Sequence, residues 1–420
     1  MSVIFTGPIL VLLALLGAPL FAVIAASAIL GFYGSGVDLS VVAIEFFGLA
    51  EMPILVAIPL FTLAGFLLSE SNAPGRIVRL SQAVFGWMPG GLSIISLAVC
   101  ALFTAFTGAS GVTIIALGAL LFPALIEAGY DERFSLGLVT TSGSLGLLFA
   151  PSLPLILYGV VAGVSVDSLF LAGLLPGSLM VLLLSVYSLW RNRGTHIPFR
   201  QVSAREVFSV IRESAWELPL PVFVLGGIYS GYFAVSEAAA VTALYVIIVE
   251  IFILREIPLH QLPRIVRNSM VLVGGIMMIL GVSLASTNYM IDSGVPEKLF
   301  AFINTYATGY ISFLFALLFF LLVLGAVLDI FSAIVLVIPL ILPVAAQYDM
   351  HPVHLGIVFL SAMGLGYLTP PVGISLFIAS YRFERSITEI YLSTLPFFLL
   401  LLCSVLIITF WPWLSLFLLN

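Results

Sequence analysis

Charged side chains are scarce in this sequence of 420 residues. Only 8% are Asp, Glu, Lys or Arg, whereas 62% are hydrophobic, and the mean hydropathy is +1.26. Most of such a chain cannot face water. Lysine occurs once, at Lys298, and the net charge of −6 is too dispersed to indicate binding to nucleic acid or to an acidic partner. The long apolar runs predict an all-α polytopic membrane protein in contact with the lipid bilayer.

Cysteine is almost absent, and several sequence motifs are missing. Cys100 and Cys403 lie in apolar runs with no CxxC or histidine spacing near them, so both are predicted to be buried hydrophobic side chains and not a disulfide or a metal site. No GxxxxGK[ST] loop occurs, which excludes direct use of ATP by this chain. Residues 1–16 have no basic region before the apolar run, so we expect a retained first span and not a signal peptide.

Two stretches interrupt the apolar pattern, and they are similar to each other. The first, 107–154, begins with TGASGVT and ends with FAPSLP, and the second, 329–373, begins with DIFS and ends with LTPPVG. A shift of 220 positions aligns Pro123 with Pro343, Gly146 with Gly366, Phe149 with Thr369, and Pro151 with Pro371. Polar segments broken by Gly and Pro, at matching positions of two apolar halves, are the best sequence indication of a transporter's binding site.

The apolar runs divide the chain into two halves with the same order of segments. The first half comprises residues 1–190, a basic cytoplasmic linker comprises 191–213, and the second half comprises 214–420. Each half is predicted to hold one re-entrant helical hairpin and one broken transmembrane helix, at about 92–127 and 134–163 in the first and at about 310–347 and 355–381 in the second. A re-entrant hairpin keeps its polar tip packed in protein, which avoids unpaired backbone groups in lipid.

The loop charges orient the two halves oppositely. Arg76 and Arg79 precede the first hairpin, and five arginines lie in the linker, so both loops are predicted to be cytoplasmic. Counting spans from these loops places both termini in the periplasm. The first hairpin then enters from the cytoplasm and the second from outside. This is an inverted-topology repeat, the architecture that supports alternating access in many secondary transporters.

A hairpin tip that faces an unwound helix offers hydroxyl and carbonyl oxygens, which are ligands that Na⁺ accepts. In the first half we predict ligands at Thr107 and Ser110 in the tip and at the backbone oxygens of Gly146, Phe149 and Pro151. The alternative is that small residues here allow close helix packing. That alternative is equally open for Gly108, Gly111, Gly143 and Ser144.

Asp329 is an ionisable residue within the apolar run 311–344. In a membrane such a residue is a functional hypothesis by default. Three roles are open for it: a cation ligand, a group that is protonated and couples transport to H⁺, or the cap of a helix N-terminus. Thr369, which aligns with Phe149, adds a hydroxyl to the same half. We therefore expect the second site to be the better defined of the two.

Two prolines precede a helix restart in the segment 368–373. The N-terminus of the restarted helix has unpaired N–H groups and the positive end of the helix dipole, which suit an anionic substrate. In the first half, Pro154, three positions after Pro151, produces the same arrangement. Substrate contacts are therefore predicted at Ser152, Pro154, Pro370, Pro371 and Gly373.

Other functions fit parts of the sequence. Residues 108–111 match the GxSG motif of rhomboid-type intramembrane serine proteases, in which Ser110 would be the nucleophile. Such a protease needs a general base on another span, whereas the four histidines fall in or beside predicted loops, at His196, His260, His351 and His354. A stand-alone carboxylate or ion transporter driven by Na⁺ or H⁺, and a membrane scaffold that transports nothing, are the remaining alternatives.

Several motifs in order resemble the large membrane subunit of tripartite ATP-independent periplasmic (TRAP) transporters. They are WMPGG at 87–91, TGASGVT at 107–113, GYD at 129–131, GSLGLLFAPSLP at 143–154, ILYG at 156–159 and GYLTPPVG at 366–373. The resemblance covers nearly the whole chain. It implies an elevator-type transporter of the bacterial inner membrane, not an enzyme, in which a mobile domain of hairpins and broken helices slides against a scaffold.

The resemblance also implies partners. A periplasmic substrate-binding protein would deliver the substrate, usually an organic acid such as a dicarboxylate or a sialic acid. A small four-span membrane subunit would brace the scaffold, and because no four-span segment is fused here, we expect it to be a separate chain. Na⁺ would be the coupling ion, and no other cofactor is implied.

The sodium ligands of the family map onto this sequence by motif. They are Thr107, Ala109, Gly146, Phe149 and Pro151 in the first half, and Asp329, Gly366 and Thr369 in the second. Family members often have serine where Ala109 stands, and alanine can offer only its carbonyl oxygen. Ala150 likewise replaces the first proline of the usual PPS motif. These departures bear on the number of bound Na⁺ ions and on their affinity.

Overall fold

The computed structural model describes residues 9–10, 12–14, 16–85, 90–193, 204–307 and 309–419. Every regular element in these ranges is helical. Most of the WMPGG motif, His196, much of the linker 191–213 and much of the expected first span lie outside the described residues.

Ten α-helices lie between residue 20 and the linker in the described part of the chain. They are α1 (Leu20–Ser35), α2 (Ser40–Gly48), α3 (Ala57–Glu70), α4 (Ala73–Phe85), α5 (Gly91–Thr107), α6 (Ser110–Ala116), α7 (Gly118–Glu127), α8 (Glu132–Ser142), α9 (Leu153–Ala162) and α10 (Val166–Arg191). Local sequence explains many of their ends. The Asp131 side chain accepts a hydrogen bond from the N–H of Phe134 and caps α8, and Gly163, in the left-handed conformation, ends α9.

Eleven further α-helices follow. They are α11 (Ala204–Glu213), α12 (Pro219–Tyr229), α13 (Val235–Ile247), α14 (Leu262–Asp292), α15 (Val295–Tyr306), α16 (Tyr310–Val327), α17 (Ile330–Gln347), α18 (Pro352–Gly366), α19 (Ile374–Phe383), α20 (Ile387–Phe410) and α21 (Trp413–Leu416). A π-helix, Ile248–Ile253, continues α13. The C-terminal helix α20 ends at Phe410 and the short helix α21 begins at Trp413, because Pro412 cannot continue the hydrogen bonding of α20.

By length and composition, the described residues contain eight helical segments able to cross a membrane, or nine if the pair α6 and α7, bent by 49°, is counted as one span. This confirms the prediction of an all-helical polytopic membrane protein. Both arms of the second hairpin, α16 and α17, are among the eight. Their length is compatible with a re-entrant hairpin and with two crossings, so the re-entrant arrangement stays a prediction.

Helices from the two halves pack on each other in reciprocal pairs. In the outer part, α3 contacts α13 and α14 contacts α1. The second arm of each hairpin contacts the second part of the other half's broken helix, as α6 with α19 and α17 with α9. The first part of each broken helix contacts the closing helix of the other half, as α8 with α20 and α18 with α10. Together these contacts bring both hairpin tips and both breaks into one buried core.

The two cysteines differ in their surroundings. Cys100 on α5 is buried, as predicted. Cys403 on α20 is exposed, so the prediction was wrong for this residue. The reason is that an apolar run in a membrane protein can face lipid as well as protein, and hydropathy alone does not distinguish the two faces.

Candidate ion and substrate site

The first hairpin is broken at its tip by Gly108 and Ala109. The N–H of Gly108 donates to the carbonyl oxygen of Thr104 at 2.8 Å, and its φ of +67° is the left-handed conformation in which glycine commonly ends a helix. Ala109 is extended, and α6 begins at Ser110. A Cβ on Gly108 would lie 2.6 Å from Cγ of Leu153, so the tip lies directly against the start of α9.

Thr104 connects this hairpin to the first broken helix. Its Oγ1 donates to the carbonyl oxygen of Gly143 at 3.1 Å and lies 2.6 Å from Oγ1 of Thr113. A hydroxyl has one hydrogen, so Thr113 is the donor to Thr104. Thr104 is not among the residues that the sequence motifs predict. Its position three residues before Thr107, in the apolar C-terminal half of α5, is the signal that could have identified it.

The first break runs from the end of α8 to the start of α9. A 3₁₀ turn, Leu145–Leu148, is followed by extended Phe149 and by a cis peptide bond between Ala150 and Pro151. The Phe149 N–H donates to the Gly146 carbonyl at 3.2 Å, and the Ser152 N–H donates to the Phe149 carbonyl at 3.0 Å. Each carbonyl oxygen has a second lone pair, which remains available to an ion.

Four buried hydroxyls in the hairpin and broken helix of the first half have no hydrogen-bond partner among the described residues. They belong to Thr107, Thr140, Thr141 and Ser152. Leaving a buried polar group unsatisfied costs about 1–3 kcal/mol. Two of the four, Thr107 and Ser152, are predicted site residues. Their oxygens are of the kind that bind Na⁺ or hydrogen-bond to a carboxylate.

Asp329 is the N-cap of α17 at the tip of the second hairpin. Its Oδ1 accepts hydrogen bonds from the N–H groups of Phe331 and Ser332, both at 3.0 Å. The capping role is therefore present, whereas cation binding by Asp329 stays a prediction. Tyr367, which the sequence does not single out, accepts a hydrogen bond at its hydroxyl from the Ile330 N–H at 2.7 Å. This contact connects the second tip to the second break.

The second break repeats the geometry of the first. The Thr369 N–H donates to the Gly366 carbonyl at 2.9 Å, which matches the Phe149 to Gly146 bond 220 positions earlier, and the Pro370–Pro371 peptide bond is also cis. The Thr369 hydroxyl donates to the Leu365 carbonyl at 3.2 Å. Gly373 has a φ of +51°, and its N–H donates to the Ala326 carbonyl at 3.3 Å.

Gly146 and Gly366 both lie where no side chain fits. A Cβ on Gly146 would be 2.6 Å from the backbone nitrogen of Ala105 on α5, and a Cβ on Gly366 would be 2.6 Å from the backbone carbon of Gly325 on α16. Each break is thus pressed onto the first arm of its own hairpin. Close packing therefore explains both glycines. These close contacts are made at the Cα atom of each glycine, so they do not exclude ion binding by the carbonyl oxygens of Gly146 and Gly366.

The structure brings the predicted site residues together as two groups. Thr107, Ala109, Ser110, Gly146, Phe149, Pro151, Ser152 and Pro154 lie at the first tip and break. Asp329, Gly366, Thr369, Pro370, Pro371 and Gly373 lie at the second. The groups are neighbours, because a Cβ on Gly364 would be 3.7 Å from the Ser144 carbonyl oxygen. Their enclosure differs: Ser152 is fully buried, whereas Val372, at the matching position, is 40% exposed.

The chemistry of this region is that of hydroxyl and carbonyl oxygens. Among the described residues, no group of three His, Cys, Asp or Glu side chains is arranged to hold a metal ion. His354 is buried, but its ring nitrogens face the Ser415 hydroxyl at 3.2 Å and the Thr409 carbonyl at 3.4 Å, and not Ser110. The arrangement suits binding and release of an ion or an anion better than bond cleavage.

Two broken helices, each packed on the tip of a hairpin, define a class of helical membrane transporters. The fold is similar to the crystal structure of the YdaH transporter from Alcanivorax borkumensis, with a TM-score of 0.57 over 88% of this chain and 87% of that one, at 14% identity. At this identity the similarity concerns the fold alone.

Sequence comparison defines the family. Residues 8–414 match the family described as tripartite ATP-independent periplasmic transporter, DctM component, and the chain belongs to it. It is 32% identical to the C4-dicarboxylate TRAP transporter large permease protein DctM of Rhodobacter capsulatus, over 91% of each chain. It is 29% identical to the ectoine/5-hydroxyectoine TRAP transporter large permease protein UehC of Ruegeria pomeroyi, over 97% of this chain and 96% of that one. The chain is a transporter component and not an enzyme.

Proposed function

We propose that this TRAP permease imports an organic acid across the bacterial inner membrane and that movement of Na⁺ down its gradient drives the import. The observation that carries the proposal is the set of buried, unpartnered hydroxyls at the first tip and break, above all those of Thr107 and Ser152. The predicted ligands at the first tip and break are hydroxyl and carbonyl oxygens, with no carboxylate among them, and such neutral ligands suit a monovalent cation. An ion at this position would restore the interactions that these hydroxyls lack.

In this proposal the two halves form an inverted-topology repeat with re-entrant hairpins, and the broken helices move as an elevator against a scaffold. The reciprocal packing of α6 with α19 and of α17 with α9 supports it, because exchange of equivalent contacts is what a two-fold relation between halves produces. The matched turns at Gly146 and Gly366 also support it. The scaffold would consist of α1, α3, α13 and α14 with the flanking short helices.

The partners in this proposal are a small four-span membrane subunit and a periplasmic binding protein. The substrate class is a carboxylate, because α9 and α19 begin at the two breaks and the positive end of each helix dipole favours an anion there. The relatives' names include a C4-dicarboxylate and ectoine, both of which carry carboxylate groups. The binding protein would select among such acids before the permease receives one.

Reconstitution into proteoliposomes with both partners tests the function. An inward Na⁺ gradient should drive accumulation of the acid that the binding protein carries, and omission of the binding protein should abolish it. Uptake driven equally well by a proton gradient without Na⁺ would contradict the sodium coupling. Uptake that is unaffected by removal of the binding protein would favour a stand-alone transporter instead.

A further inference from the structure

A buried cluster of charged residues joins α4 to the segments that flank α12 and α13. It consists of Arg76 on α4, Glu217 before α12, Glu250 in the π-helix and Glu256 beyond it. Arg76 comes from the first half of the chain and all three glutamates come from the second. The cluster therefore joins the two halves, and the proposed transport function does not use it.

The three carboxylates are not equally paired with Arg76. Glu217 accepts a hydrogen bond from Arg76 Nε at 2.6 Å, and Glu256 accepts one from Arg76 Nη1. Glu256 also accepts the N–H of Asn72 at 2.8 Å. Burial opposes the charge of Glu256, but the bonds from Arg76 and Asn72 lower the pKa of its carboxyl below the ordinary value. Glu217 and Glu256 therefore use the Nε and Nη1 donors of the single guanidinium, and Nη2 has no hydrogen-bond partner among the described residues.

Glu250 is not hydrogen-bonded to Arg76. It is 0% exposed, and among the described residues neither of its carboxylate oxygens has a partner within hydrogen-bond distance. The nearest approach to Arg76 is 3.7 Å, from Oε1 to Nη2. One guanidinium facing three carboxylates leaves two negative charges in excess if all are ionised. An uncompensated buried carboxylate costs several kcal/mol, so such a group normally takes up a cation or a proton.

Among the residues that the structure describes, Arg76 is the one cationic side chain within ion-pair distance of Glu250. The Ser71 hydroxyl, beyond the end of α3, donates to the Leu68 carbonyl, and the Tyr245 hydroxyl on α13 donates to the Trp216 carbonyl. Arg79 and Arg264 each already have a carboxylate partner, Glu213 and Glu70, in ion pairs exposed at the surface. The π-helix is itself notable, because such rare turns occur frequently at functional sites.

We infer that Glu250 is a proton-binding site, which holds one proton at neutral pH and keeps the joint between the two halves of the permease closed. A proton is the cation that fits, because the described residues contain no metal-type group of three ligands here. When Glu250 is protonated, its side chain is neutral, and only the carboxylates of Glu217 and Glu256 share the charge of Arg76. Loss of the proton adds a buried negative charge and weakens the contact of α4 with the second half.

Infrared difference spectroscopy of the purified protein tests this directly. At neutral pH, wild type should show the carbonyl stretch of a protonated carboxylic acid, and Glu250→Gln should lack it. Glu237→Gln is the matched control, because Glu237 lies on the adjoining helix α13, and its Oε2 accepts the N–H of Ala234 at 3.0 Å. That variant should retain the band.

Thermal stability gives a second readout. An unfolded glutamate loses its proton at about pH 4.3, so unfolding of the wild type at neutral pH releases the proton that the folded protein holds. Stability should therefore fall as the pH is raised from about 6 to about 9, by a Tm shift of about 2 °C or more, and Glu250→Gln should show a smaller fall. Equal pH dependence of the two proteins would overturn the inference.

Two further outcomes would also overturn it. A protonated-acid band that disappears in Glu217→Gln but persists in Glu250→Gln would place the proton on Glu217, which has one unpartnered oxygen of its own. A band that is absent from the wild type at neutral pH, or that NaCl removes, would assign the site to Na⁺ or to an ionised Glu250. If Glu250→Gln cannot be purified, the spectra of wild type and Glu217→Gln still decide between these cases.

Discussion

The two broken helices have the same local geometry and different surroundings. Phe149 to Gly146 and Thr369 to Gly366 form equivalent backbone hydrogen bonds. The first break is enclosed and has four free hydroxyls nearby, whereas the second is partly exposed, its Thr369 hydroxyl has a partner, and one buried hydroxyl beside it, that of Ser375, has none among the described residues. The sequence predicts the second site to be the better defined. The structure instead encloses the first site more completely, which shows that repeated motifs fix the shape of a break but not its burial.

The largest effect is expected from Asp329→Asn at the second tip. Asparagine also caps helices well, so the fold should persist, while loss of the negative charge should reduce Na⁺-driven uptake by at least about ten-fold, or about 1.4 kcal/mol. Uptake in proteoliposomes and Tm in detergent measure the two effects. Asp131→Asn is the control, since Asp131 caps α8 through a similar 3.0 Å bond. Unchanged uptake in Asp329→Asn would leave capping as the residue's role.

Alanine substitution of the paired glycines tests whether both breaks are packed equally tightly. Gly146→Ala and Gly366→Ala should each lower the free energy of unfolding by about 1–3 kcal/mol, because the new methyl group meets backbone atoms that cannot move aside. Gly274→Ala on α14 is the control, as nothing lies within 4 Å of its Cβ position. Thermal unfolding in detergent measures all three. If either paired glycine behaves like Gly274, that break is not packed as described.

Removal of one hydroxyl from each site tests the difference in their free ligands. Thr107→Val should lower the apparent Na⁺ affinity about five-fold, corresponding to about 1 kcal/mol, because the Thr107 hydroxyl has no partner among the described residues. Thr369→Val should have a smaller effect, since that hydroxyl donates to Leu365. Thr242→Val, whose hydroxyl donates to Ala238 on a scaffold helix, is the control. The reverse order of the first two variants would show that the second site is the principal one.

The smallest effect is expected at an exposed ion pair between the halves, Arg385 with Glu132. Both side chains are about half exposed, at 43% and 48%, and such pairs contribute within about 1 kcal/mol. Glu132→Gln should therefore change Tm only slightly, and the change should be smaller still at high salt. A large loss of stability would mean that this contact, and not the buried Arg76 cluster, holds the halves together.

Hydropathy and local signals determined the helices themselves. The second hairpin, predicted at about 310–347, is observed as α16 and α17 over those residues, and the breaks coincide with the Gly and Pro motifs. These features depend on residues close together in the chain, since a proline or a left-handed glycine ends a helix wherever it occurs. The shift of 220 positions likewise predicted the equivalence of Gly146 and Gly366, which the matching turns display.

Only the tertiary structure decided which polar groups are satisfied. Thr104 and Tyr367 bond to residues distant in sequence, at the first break and at the second tip. The packing of distant segments likewise leaves the hydroxyls of Thr107 and Ser152, and the carboxylate of Glu250, without partners among the described residues. The exposure of Cys403 is a further case. Hydropathy indicates that a residue avoids water, but in a membrane protein an apolar side chain can avoid water by facing lipid or by packing in protein. The sequence by itself therefore determined the segments and their breaks, and the packing of one half against the other determined the site.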